Sequence, residues 1–136
     1  IILYGCAIRQ EIVPVDAKVA ANIDKVYIMK NFNDRLDPAL KLIEQKLDQQ
    51  SIPNERVNSS QLPEGARFHI EYEGEWNWDM ADYLTLFRMS LFKDGRIIGG
   101  AEYNAKTGGM RLDKWGSIED KISPVIDEFL TTMKPR

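Results

Sequence analysis

A chain of 136 residues with 43% hydrophobic residues is long enough for one domain with a buried core. Its 18 basic residues are scattered and outnumbered by 21 acidic ones, which argues against a nucleic-acid-binding surface. The single cysteine excludes an internal disulfide.

An apolar run from Ile1 to Tyr4 leads directly to Gly5 and to the only cysteine, Cys6. Apolar residues followed by a small one are typical of the end of a secretory signal peptide. Together with Leu3, this stretch resembles the lipobox of bacterial lipoproteins, although Tyr4 is larger than the residue usual at that position. The alternative is an ordinary edge strand with a buried Cys6 thiol.

The resemblance implies that Cys6 carries a diacylglycerol and anchors the chain to a membrane. Two or more acyl chains hold a protein firmly, and no later stretch approaches the roughly 20 apolar residues of a spanning helix. Ala7 follows the cysteine where an aspartate would signal inner-membrane retention, so the resemblance implies the periplasmic face of the outer membrane. Residues 1–5 are then a signal-peptide remnant.

Residues 6–24 have mixed polarity and are predicted to be a lipidated tether, with a possible strand around Ile12 to Val19. Fully extended, such a segment spans up to about 60 Å. Residues 25–136 are predicted to form a single α+β domain.

The first elements of that domain are a strand, a helix and a short strand. Val26–Met29 is a short apolar run typical of a strand. Asp37 followed by proline indicates a helix start, and leucine and isoleucine recur at helical spacing over residues 38–50. Residues 56–58 are a candidate short strand.

Apolar and polar residues alternate from Phe68 to Trp78, with Gly74 interrupting the apolar face, and this pattern predicts a half-buried strand. Tyr83–Phe92 predicts another strand. Asp94-Gly95 then indicates a hairpin turn. A two-residue loop would mix polarities on both faces. A three-residue loop, with Gly95 left-handed, pairs Leu91 with Ile97 and gathers the large apolar groups on one face, so we expect the longer loop.

The last element is a helix with Ser117 as N-cap and an apolar stripe that runs to Met133. Pro124 either kinks this helix or moves its start to Ser123. The predicted fold class is α+β, an antiparallel sheet of about four to five strands with two helices packed on one face.

Candidate chemistry is sparse. His69 is the only histidine, and Glu71 and Glu73 follow it on the same strand face, where they could assist a general base or hold a cation. A solvated acidic face is the simpler interpretation, so we expect no catalytic residue, metal or cofactor. Trp78 and Trp115, together with the two glutamates, are the candidates for a partner surface.

These features predict a noncatalytic lipoprotein of the outer membrane that serves the cell envelope as a binding or assembly accessory. Its expected partners are the membrane, through Cys6, and an envelope protein. The alternative is an inhibitor or immunity-type lipoprotein that blocks a specific toxin or enzyme.

Overall fold

The computed structural model describes residues 9–78, 80–105 and 116–133. The strands in these ranges are β1 (Arg9–Val13), β2 (Val26–Met29), β3 (Asn54–Val57), β4 (Phe68–Trp78), β5 (Asp82–Lys93) and β6 (Arg96–Asn104). The helices are α1 (Ala17–Ala20), α2 (Asp37–Gln49) and α3 (Ile118–Thr131), with a 3₁₀ turn, Asp34–Leu36, before α2. All six strands belong to one sheet in the order β1-β6-β5-β4-β2-β3.

The sheet is mixed, so the predicted antiparallel sheet of four to five strands with two helices is wrong. β2 runs parallel to both β3 and β4, and β1 adds a further strand antiparallel to β6. The physical reason is a strand–helix–strand unit. The helix α2 carries the chain back to the end of the sheet where β2 begins, so β3 runs parallel to β2. The four residues of β3, three of them polar, gave no sign of that pairing.

Residues 9–24 fold into the domain, where the sequence predicted a tether. β1 pairs with β6 from Arg9 to Val13, and Val15 and Ala20 are buried in the core. The Val15 amide also donates a hydrogen bond to Thr132 Oγ1 at 3.2 Å, which ties this segment to the end of α3. Cys6 and the rest of residues 1–8 lie outside the described residues.

One core fills the space between a single face of the sheet and the helices α2 and α3. The buried residues of α2 and α3 recur at helical spacing, as the sequence predicted. Pro124 lies inside α3 without ending it, because Ile122, Val125 and Ile126 on either side of it are fully buried. Among the described helices, none is long and apolar enough to cross a bilayer.

In the β5–β6 hairpin, Leu91, Met89 and Phe87 lie on the predicted core face, but the register differs and Ile97 is exposed on the other face. Its loop is two residues long, Asp94 and Gly95, both with positive φ (50° and 82°), as the tightest hairpin turns require. Phe92 pairs with Ile97, and a bulge then shifts the register so that Leu91 pairs with Gly99. The bulge restores the apolar face from Leu91 onward, which a plain two-residue loop would have lost. The expected three-residue loop is therefore wrong, and so is its placement of Ile97 on that face.

Candidate contact surfaces

The residues predicted for a partner surface lie in different places. Glu71 and Glu73 project from the sheet face opposite the core. Trp78 lies at the end of β4 and is 72% exposed. Trp115 lies outside the described residues. Trp78 and the two glutamates therefore belong to two separate surfaces.

The first surface is the open face, which we define as the outward side chains of β1, β6, β5 and β4. A charged row crosses it, because the strand register aligns Glu11, Glu102, Arg88 and Glu73. Arg88 donates hydrogen bonds to Glu102 Oε1 at 2.8 and 3.0 Å and to Glu73 Oε1 at 2.9 Å. These bonds, those to Glu102 first, raise the pKa of Arg88, so the guanidinium is a fixed positive charge between two carboxylates.

Beside the charged row, small residues leave a depression in the open face. Ser90 and Gly100 are paired across β5 and β6, and Val13 follows Gly100 in the register. A cavity of about 200 Å³ lies here, lined on its apolar side by Val13 and Ile97. These two side chains, which we call the apolar patch, are 62% and 65% exposed. The open face thus has an apolar patch beside a charged row, and contact surfaces between proteins likewise combine apolar and polar parts.

His69 also lies on this face, but it is packed. Its ring stacks on Phe92 with centroids 4.6 Å apart, and Nε2 lies 2.8 Å from Glu71 Oε2. Glu73 is engaged by Arg88 instead, so the three side chains of the His-x-Glu-x-Glu pattern do not converge. Over the ranges that the structure describes, no group of His, Cys, Asp and Glu side chains could hold a metal ion.

The second surface lies at the end of β4 and β5 where the chain passes from one strand to the other. Past Glu75, the pairing of β4 with β5 continues from Trp76 opposite Leu84 to Trp78 opposite Asp82, and we call this part the ribbon. Arg35 covers one side of it, with the guanidinium 4.0 Å from the Trp76 ring centroid and Nη2 3.4 Å from Asp82 Oδ2. Trp78 and Met80 lie beyond this cover, 72% and 83% exposed, and we call these two residues the ribbon tip.

The apolar patch was not predicted from the sequence. Val13 was assigned to the tether, and Ile97 was paired with Leu91 on the core side. The glycine doublet Gly99-Gly100 was the available signal, because glycine inside a strand marks a close approach of backbones. A Cβ on Gly100 would lie 2.6 Å from the Met89 carbonyl oxygen, and one on Gly99 would lie 2.9 Å from the carbonyl oxygen of Val13.

Comparison with known proteins identifies similarity in fold. No family model and no curated protein matches the chain. A PelC dodecamer from Paraburkholderia phytofirmans superposes with a TM-score of 0.60 and 16% identity, over 96% of this chain and 98% of that one, and a single-substitution variant of PelC gives the same TM-score and identity over 99% of its length. A minor lipoprotein from Acinetobacter baumannii aligns at 11% identity and a TM-score of 0.33, over 82% of this chain and 90% of its own. The chain is therefore similar to PelC in fold across nearly its whole length.

Proposed function

We propose that this chain is a lipid-anchored, noncatalytic assembly component on the periplasmic face of the outer membrane. The lipobox-like residues Leu3 and Gly5 before Cys6 support the anchor, and Ala7 supports the outer membrane as its location. An anchored domain of this kind works by holding partners at the membrane surface, and it needs a contact surface for that purpose.

The partner we propose is a second copy of the chain. The single observation that carries this proposal is the apolar patch, because Val13 and Ile97 expose most of their side-chain surface next to a fixed charged row. Covering that patch would bury apolar area at the centre of an interface, and Arg88 and the glutamates around it would form the polar border. The dodecamer described for PelC, which has a similar fold, supports self-assembly.

The anchor is tested by mass spectrometry of the protein expressed with its native upstream sequence in a Gram-negative host. We expect an acylated Cys6 and recovery in the outer-membrane fraction. The matched control is Cys6→Ser, which we expect in the soluble fraction because it has no sulfur to acylate. An unmodified thiol in the wild type, or membrane attachment that survives Cys6→Ser, would refute the anchor.

A further inference from the structure

The strand register brings the ribbon tip and the Cys6 end of the chain to the same end of the sheet. Arg9 pairs with Asn104, Asn104 with Leu86, and Leu86 with Glu75, so these four residues form one row across four strands. Three successive antiparallel pairings separate β1 from β4, so these two strands run in opposite directions. From this row, lower residue numbers in β1 and higher residue numbers in β4 therefore lead toward the same end of the sheet. The start of β1 and the ribbon therefore lie at the same end of the sheet.

Trp78 and Cys6 are each three residues along the chain from a member of this row. Trp78 is three residues beyond Glu75, which places its backbone about 10 Å past the row. Cys6 is three residues before Arg9, and three residues span at most about 11 Å. The two strands are separated by three strand spacings, about 14 Å. A surface that holds Cys6 is thus within reach of the ribbon tip.

The two side chains of the ribbon tip suit contact with the headgroup region of a bilayer. The indole of Trp78 combines a large apolar ring with a polar N–H, and such side chains favour the headgroup region of a bilayer. Met80 adds a flexible apolar side chain beside it, 83% exposed. Asp82, which lies opposite Trp78 in the register, pairs with Arg35, whose Nη2 is 3.4 Å from Asp82 Oδ2.

We propose that the ribbon tip docks into the headgroup region of the phospholipid bilayer that holds Cys6. This inference rests on the proposed anchor and adds a second point of contact with the membrane. With two contacts, the domain has a fixed orientation on the membrane, which a single acylated cysteine would not give.

The test uses the single cysteine of the chain, which allows specific coupling to a maleimide lipid and needs no cellular lipidation. The protein is coupled to vesicles of phosphatidylethanolamine and phosphatidylcholine, with or without brominated acyl chains that quench tryptophan emission on contact. The difference between wild type and Trp78→Phe isolates the emission of Trp78. We expect that emission to lose most of its intensity on brominated vesicles.

The matched control is Ile97→Trp in the Trp78→Phe background, because residue 97 is similarly exposed but lies beside the turn at the opposite end of the sheet. Its added emission should be equal on both kinds of vesicle. Equal Trp78 emission on the two kinds of vesicle would overturn the inference, as would a Trp78 spectrum that shifts with protein concentration in the absence of lipid, since a second copy would then cover the tip. An unacylated Cys6 in cells would refute the anchor alone.

Discussion

Replacing the apolar patch with polar residues should separate the copies of the chain. Burying a whole valine or isoleucine side chain contributes about 1.5–3 kcal/mol. Val13 and Ile97 are 62% and 65% exposed, so burying this exposed part should contribute about 1–2 kcal/mol at each residue. The variant Val13→Ser/Ile97→Ser should therefore weaken association by about 2–4 kcal/mol, or roughly 30- to 1000-fold in Kd.

Sedimentation velocity over a range of protein concentrations measures this effect. All proteins carry Cys6→Ser, which removes both the acylation site and any intermolecular disulfide. Met80→Ser is the matched control, because Met80 is even more exposed but lies at the ribbon tip, away from the open face. The reasoning is refuted if the parent protein stays at its monomer mass of 15.6 kDa at every concentration, or if the double variant assembles with unchanged affinity.

Three further variants test the fold that supports these surfaces. Gly100→Ala should lower the free energy of unfolding by about 1–3 kcal/mol, because its Cβ would lie 2.6 Å from the Met89 carbonyl oxygen; an unchanged urea midpoint would contradict the β5–β6 register. Ser117→Ala should cost about 1 kcal/mol, since Ser117 Oγ accepts the Asp120 amide at 3.1 Å and caps α3, and the urea midpoint again measures the loss. Burial raises the pKa of Tyr72, so the native state keeps the phenol proton that the unfolded chain releases above pH 10.0, and stability falls as the pH rises past that value. Tyr72→Phe should make the alkaline decline in stability shallower, and an equally steep decline would show that another group causes it.

The elements that the sequence predicted well are those fixed by nearby residues. Ser117 caps α3 as predicted, because capping depends on side chains within one helical turn. The proline after Asp37 correctly indicated the start of α2, but Asp37 is the first helical residue and not the N-cap, which is Leu36 without a side-chain hydrogen bond. The alternation from Phe68 to Trp78 predicted β4 over its full length for the same local reason.

Strand pairing was harder to predict because it depends on distant partners. β1 contains only two apolar residues, Ile12 and Val13, and they project to opposite sides, so nothing local distinguishes it from a tether. The bulge near Phe92 changes the register so that Leu91, Met89 and Phe87 stay on the core face, whereas Ile97 is exposed on the open face. Patterns of polarity determine faces, and they leave register open whenever a bulge can absorb the difference.

The contact surfaces were predictable only in part. The open face carries Glu71 and Glu73 as expected, and Trp78 is exposed because it lies at a strand end. The apolar patch joins residues from β1 and β6, so it could not be found while Val13 was assigned outside the domain. An error in one pairing therefore concealed the surface to which we assign self-assembly.

The pairing of β1 with β6 also has a consequence for the order of folding. Arg9 meets Asn104, and Val15 donates a hydrogen bond to Thr132, so these contacts join the N-terminal segment to β6 and to the end of α3. Contacts between residues so far apart in sequence close a long loop and form slowly. The hairpin of β4 and β5, whose strands are adjacent in the chain, can form first and serve as the template. The N-terminal segment should thus stay open until β6 and α3 have formed, and should be the last part to dock.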